Sequence, residues 1–242
     1  MLVLKKAGVL VLVLSFTAAF SLSAPGRILF EDGFEADDVG DEPALWNPVP
    51  GSPVQVVEDP DDPDNKVLEQ NWEANGLGCV TPAGWEDQDF WTDYVWEFDW
   101  MWDQDTYQGT AHRYQDAGGY YHSSRREGGG NFITYMWNGN FNQIQASPWQ
   151  SGVGVWYRMQ SSDIGNEHII KGKERDDETP FEQLDPIISV EDDTYPEGPI
   201  GLFGGIGLYW DNIIVYEPGT DIHAVKPAEK LGVTWGKLKA VY

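Results

Sequence analysis

From residue 27 to residue 217 the chain alternates short apolar runs with polar breaks, at lengths that suit strands. Arg27–Glu31, Val54–Val57, Lys66–Asn71, Tyr94–Trp102, Thr110–Gln115, Tyr120–Arg125 and Phe132–Trp137 are predicted strands. Val153–Gln160, His168–Lys173, Ile187–Val190, Ile200–Phe203 and Leu208–Tyr216 follow. The breaks carry turn chemistry, as at Asp64-Asn65, Gly118-Gly119, Gly128-Gly129-Gly130 and Gly204-Gly205. Asn138-Gly139 between two aromatic runs is the sharpest hairpin signal, because both residues tolerate the left-handed backbone of a tight turn. In Tyr94–Asp103, Glu97, Asp99, Met101 and Asp103 share one face, and Trp96, Phe98, Trp100 and Trp102 share the other. No stripe of comparable strength has helical spacing. The pattern predicts an all-β fold, a two-sheet antiparallel β-sandwich, with residues 174–197 as a long acidic surface loop or edge segment.

The two ends differ from this body. Lys5 and Lys6 precede an uncharged apolar run from Ala7 to Phe20, then the small residues Ser21, Ser23 and Ala24, which is the order of a secretory signal peptide. The run is shorter than the ~20 residues that cross a bilayer, so export without a stable membrane anchor is expected. Cleavage after Ser23 keeps Pro25 away from the scissile bond and gives a signal peptide over 1–23 and a domain over 24–217. Residues 218–242 form a basic tail with Lys226, Lys230, Lys237 and Lys239. From Pro227 onward Leu231, Trp235, Leu238 and Tyr242 fall on one helical face, so a flexible tail and a short docked helix are both open.

Composition narrows the functional classes. The 12 Trp, 11 Tyr and 10 Phe can fill a core of pleated strands. Fifteen basic residues face 40 acidic ones, a formal charge of −25. Loss of Lys5 and Lys6 would leave 13 against 40, near −27. Such a body repels phosphate backbones and anionic polymers, which argues against nucleic acid and for neutral glycans or cations as partners. The single Cys79 excludes an internal disulfide, and no basic cluster flanks it to activate the thiol.

Two stretches resemble a known superfamily. Phe30-Glu31-Asp32-Gly33-Phe34-Glu35 is followed by Gly40, Pro43 and Trp46, and Gly201-Leu202-Phe203 precedes Tyr209-Trp210-Asp211-Asn212-Ile213-Ile214-Val215. Between them stand Arg113-Tyr114-Gln115-Asp116, Tyr120-Tyr121 and Trp156-Tyr157-Arg158. Together these resemble the laminin-G-like branch of the concanavalin A-like lectin/glucanase jelly rolls, over residues 28–217. The resemblance implies a jelly-roll sandwich whose first and last strands are neighbours. It spans lectins, binding modules, hydrolases and lyases, so the fold does not choose the activity.

Candidate chemistry follows from both readings. Calcium takes about six to eight hard oxygen ligands gathered from loops. The resemblance implies a structural ion between early acids and the last strand, here Asp32, Glu35 and Asp211. Glu97-Phe98-Asp99-Trp100-Met101-Trp102-Asp103 is similar to the catalytic strand of family-16 glycoside hydrolases. Retention there needs two carboxyls ~5–5.5 Å apart, and Trp102 and Asp103 stand where the second Glu belongs. Arg113, Tyr121 and His122 supply the residue types of a polysaccharide lyase, and Gln143-Ile144-Gln145 is similar to an alginate-lyase element that lacks its His here. Glycan binding without catalysis needs flat rings for sugar C–H faces and polar groups for hydroxyls. Glu97, Asp99, Arg113, Gln115, Tyr121 and Trp137 are the candidates on the concave sheet. The sequence thus predicts a secreted, calcium-stabilised, non-catalytic carbohydrate-recognition or adhesion domain. The alternatives are a glycan-degrading enzyme on the same fold and a structural module with a protein partner for the tail.

Overall fold

The structure, a computed structural model, describes residues 26–73, 76–81, 91–116, 118–126, 128 and 131–222. The expected signal peptide and the tail from residue 223 lie outside these. Among the described residues, no helix is long and apolar enough to cross a membrane.

Fifteen strands and one short 3-10 turn at Phe181–Gln183 make up the described elements. The first sheet contains β1 (Ile28–Asp32), β3 (Val54–Asp59), β4 (Asp62–Gln70), β6 (Tyr94–Trp102), β11 (Tyr157–Ile164), β12 (Glu167–Glu174), β13 (Ile188–Glu191) and β15 (Leu208–Tyr216). The second contains β2 (Asn47–Pro48), β5 (Gly76–Thr81), β7 (Gln108–Asp116), β8 (Gly119–Arg125), β9 (Phe132–Trp137), β10 (Phe141–Ser147) and β14 (Ile200–Gly204). Their spatial orders are β13-β12-β11-β6-β15-β4-β3, with β1 also on β15, and β10-β9-β8-β7-β14-β5-β2. The pairings are antiparallel, and β1 lies against β15 with Glu31 opposite Ile214 and Asp32 opposite Ile213. The chain is therefore the all-β, two-sheet jelly-roll sandwich that its pattern predicts, with first and last strands adjacent.

The alternation in β6 sets the core. Trp96, Phe98, Trp100 and Trp102 point between the sheets and pack with Trp210, Ile213 and Val215 of β15, Met159 of β11, and Phe132, Leu202 and Cys79 of the second sheet. Trp100 meets Trp210 at 5.6 Å and Phe132 at 6.2 Å between ring centres, so β6 carries rings to both layers. Burying one such ring is worth about 1.5–3 kcal/mol, which makes β6 the most heavily invested strand. Burial also pushes the Cys79 thiol well above its usual range, as an inert thiol requires.

One polar network crosses this apolar interior. Asp163 on β11 is fully buried; its Oδ1 lies 2.6 Å from His168 Nδ1 and its Oδ2 3.1 Å from His112 Nδ1 on β7. Thr110 Oγ1 stands 2.6 Å from His112 Nε2, and His168 Nε2 reaches the Asp192 carbonyl at 3.1 Å. The Tyr121 hydroxyl donates to Asp192 at 2.6 Å, and its ring lies 4.2 Å from His168. Burial works to raise the Asp163 carboxyl, but His112 and His168 override it and hold the group well below the usual carboxylate range. The network ties the two sheets together.

Three strands escape the sequence reading: β2 is two residues long, β5 is Gly-rich, and β10 carries Asn and Gln among its apolar positions. The Asn138-Gly139 turn does join β9 to β10, with Phe141 opposite Trp137 and Gly139 at φ +88°.

Candidate functional site

The outer face of the second sheet presents rings where polar side chains are usual. Strand β8 is buried on both sides, and its residues alternate between them. Tyr121 turns inward to the His168 network, and Arg125 turns inward over the Trp102 ring at 4.7 Å. Tyr120, His122, Ser124 and Arg126 turn outward and line one cleft with Tyr107, Tyr135, Phe141 and Phe203. Its volume is about 690 Å³, within the ~300–1,000 Å³ of small-molecule sites.

Cross-strand register brings these groups together. His122 lies opposite Tyr135, their rings parallel at 6.2 Å and 13°, and Tyr120 lies opposite Trp137 at 6.2 Å. The hairpin returns Phe141 to within 4.5 Å of Trp137 and 5.3 Å of Tyr135, and Phe141 is 51% exposed. Gly109 on β7 opens the floor: a Cβ there would stand 2.5 Å from the Ser123 carbonyl and 2.9 Å from the His122 ring. Without that Cβ, Phe203 of β14 reaches His122 at 4.0 Å.

Polar groups are few and fixed. Burial drives the His122 imidazole down to about 3, aided by His112, so it is neutral through the physiological range. His122 is 2% exposed, and its Nδ1 has no hydrogen-bond partner in the structure. Burial next to Tyr114 pushes the Tyr120 phenol up to about 12. Arg126 donates to the Tyr107 hydroxyl at 2.9 Å and the Tyr135 hydroxyl at 3.1 Å, while its guanidinium lies 5.4 Å from the Tyr107 ring centre.

The six glycan candidates named from the sequence do not share this face. Trp137 alone borders the cleft, packed on the outward cluster of Tyr114, Tyr120 and Phe203. Tyr121 is core. Arg113 is fully buried at φ +47°, where an irregularity interrupts the β7–β8 pairing, and donates to the carbonyls of Tyr195 and Thr92. Gln115 donates to the carbonyls of Arg113 and Glu197. Both residues pin the loop before β14. Glu97 and Asp99 lie on the first sheet, away from the cleft. Arg158 clamps Asp99 through Nε and Nη2, each at 2.8 Å, and Asn212 adds a bond at 3.0 Å. Glu97 accepts from Tyr216 at 2.9 Å and Gln160 at 3.0 Å beside a groove of about 510 Å³. The carboxylates of the hydrolase-like strand thus serve as acceptors in an ion-pair and hydrogen-bond network.

The three carboxylates expected to hold calcium each accept hydrogen bonds from the protein. Asp32 accepts from the Phe34 amide at 2.8 Å and from Trp46 Nε1 at 2.9 Å. Glu35 accepts from the Lys66 amide at 3.1 Å, and Asp211 accepts from Asn65 at 3.0 Å and from the Asn212 amide at 2.6 Å. Burial raises Asp211 to about 7, its bonds to Asn65 and Asn212 oppose this, and Asp99 and Asp59 push it further up. Among the described residues no group of three His, Cys, Asp or Glu side chains is placed to hold a metal ion. The calcium expectation therefore has its own test. It requires a melting temperature that rises with calcium, falls back with chelator and loses the shift in Asp211→Ala. A melt indifferent to calcium and chelator would remove the ion.

No protein-family model matches the sequence, and the search of the curated proteins found no match. Solved structures do match in shape. One is domain 4 of AbnA, an extracellular arabinanase of Geobacillus stearothermophilus, in complex with arabinotriose. Its TM-score is 0.52 at 12% identity, covering 80% of this chain and 94% of that one. A Bacillus subtilis protein of unknown function with a galectin-like fold gives 0.52 at 15% identity, covering 80% and 97%. A xylan β-1,4-xylosidase of Bacillus halodurans gives 0.50 at 13%, covering 77% of this chain and 38% of that one. At these identities the likeness shows the fold alone, a two-sheet jelly-roll sandwich.

Proposed function

We propose that this chain is a secreted carbohydrate-recognition domain of the laminin-G-like kind, non-catalytic, which binds low-charge glycan chains in the cleft of Tyr107, Tyr120, His122, Tyr135, Phe141 and Phe203. The observation that carries the reading is the cleft itself. Rings from four elements converge on an outer face beside a buried imidazole nitrogen without a protein partner. A sugar ring offers an apolar C–H face to such rings and hydroxyls to the Arg126 guanidinium and the two phenols that hold it. The sandwich shared with domain 4 of an arabinanase solved with arabinotriose supports the reading. The formal charge of −25 sets the polymer class, since a densely anionic chain would be repelled.

A glycan array probed with the mature protein tests the proposal. Neutral oligosaccharides should bind, with affinity that changes little between low and high salt, because contact and desolvation drive stacking. Binding confined to heparin-like or polyuronate chains and abolished by salt would sink it. Affinity should also be flat between about pH 5 and 8, because His122 takes up a proton only near 3. A steep change of affinity around pH 6 would show a titrating imidazole in the site and contradict the placement of His122.

A further inference from the structure

We propose that Arg126 reads a single carboxylate on an otherwise low-charge glycan, so that the preferred ligand of the cleft carries one isolated acidic sugar. This inference rests on the cleft as the binding site and narrows its ligand.

The chain has 40 acidic residues, yet none is among the described residues that line the cleft. Arg126 is the cation there, and among the described residues it makes no ion pair with an acid. The other arginines differ. Arg125 pairs with Asp105 at 2.5 Å, Arg158 with Asp99 at 2.8 Å, Arg27 with Glu217 at 3.4 Å and Arg175 with Asp59 at 3.8 Å. Arg113 is spent on backbone carbonyls. Arg126 instead rests on two neutral phenol oxygens, which orient the guanidinium and, among the described residues, leave its charge uncompensated. The bond to Tyr107 is the first cause of a pKa raised above the ordinary arginine value.

A guanidinium has five N–H donors, and the two tyrosines take two of them. The remainder suit the two oxygens of a carboxylate, the acceptor that Arg meets in bidentate geometry. Neutral hydroxyls can also accept from Arg126, but they leave its charge unanswered. The body's negative charge limits how much acid the ligand can carry. Screening confines the repulsion at a given sugar to about 8 Å at physiological salt, so one carboxylate at Arg126 is attracted by its contact. Further carboxylates along the chain meet only the acidic surroundings. One acid is favoured, and a run of acids is not.

The experiment uses immobilised xylo-, gluco- and galacto-oligosaccharides in matched pairs, each with and without one uronic acid residue, beside polygalacturonate. The readout is the ratio of affinities within a pair. Wild-type protein should favour the acid-bearing member by about tenfold in at least one pair and bind polygalacturonate more weakly than that member. Arg126→Gln should bring the ratio close to one, and Arg126→Lys, which keeps the charge without the fork, should leave an intermediate ratio. The preference should shrink in 1 M salt, where the screening length is about 3 Å. A wild-type ratio near one, a ratio unchanged in Arg126→Gln, or tightest binding to polygalacturonate would overturn the inference and leave the cleft standing. Absence of binding to every oligosaccharide would overturn the cleft reading as well.

Discussion

Asp163→Ala should destabilise the domain by roughly 3–5 kcal/mol, the cost of removing one partner from a buried charged network. That is a large share of the ~5–15 kcal/mol that holds an average domain folded. The physical reason is local. Asp163 is fully buried between His112 and His168, at 3.1 and 2.6 Å, and it joins β11 of one sheet to β7 of the other. Its loss leaves two imidazoles facing a cavity; His168 loses its Nδ1 partner, and His112 Nδ1 keeps only the Ser161 hydroxyl at 3.2 Å. The sign of the pH effect follows from the same contacts. The folded carboxyl is depressed, so the stability it contributes is complete above the unfolded value near 3.8 and drains away as pH falls below it. Urea unfolding of wild type and variant from pH 2 to 7 measures both effects. The variant should lose several kcal/mol at pH 7 and show a shallower acid limb. An Asp163→Ala protein as stable as wild type would show that the sheets do not depend on this tie.

The second large effect concerns affinity. Phe141→Ala should weaken glycan binding by about tenfold or more, equivalent to ~1.4 kcal/mol, with a melting temperature close to wild type. Phe141 is 51% exposed at the hairpin rim, so the fold gains little from it, whereas a ligand that covers the ring would bury it. Trp137→Ala should cost at least as much affinity, because the larger ring lies between Tyr120 and Phe141 at 6.2 and 4.5 Å. Together the two substitutions should abolish measurable binding. Calorimetric titration and thermal melts on the same samples separate the cases. Affinity lost with the fold intact supports the cleft, and full affinity in the double variant contradicts it.

The fold was largely legible in the sequence, and the candidate cleft was not. Strand β6 announces itself because Trp96, Phe98, Trp100 and Trp102 alternate with Glu97, Asp99 and Met101, a contrast that fixes both period and core face. Strand β8 offers no such contrast. It runs Tyr-Tyr-His-Ser-Ser-Arg into Arg126, so near-identical residues sit on opposite faces and a shift of one position changes nothing in polarity. Tyr121 and Tyr120 are therefore indistinguishable until the register with β9 is known, and it is Tyr120 that faces the cleft. The available signal was the hairpin: placing Trp137 opposite Phe141 across Asn138-Gly139 puts two aromatics on one face, with Tyr135 two residues away. Arg113 misled for another reason. Its positive φ breaks the alternation of β7, which period-two counting does not anticipate.

The most direct test is to titrate a neutral oligosaccharide selected on the array into isotope-labelled protein and follow backbone and side-chain resonances. The largest changes should fall on Tyr120, His122, Ser124, Tyr135, Trp137 and Phe203, while Glu97, Asp99, Arg158 and Gln160 on the opposite sheet stay still. Saturable changes centred on the Glu97–Arg158 face, with the aromatic cleft silent, would contradict it.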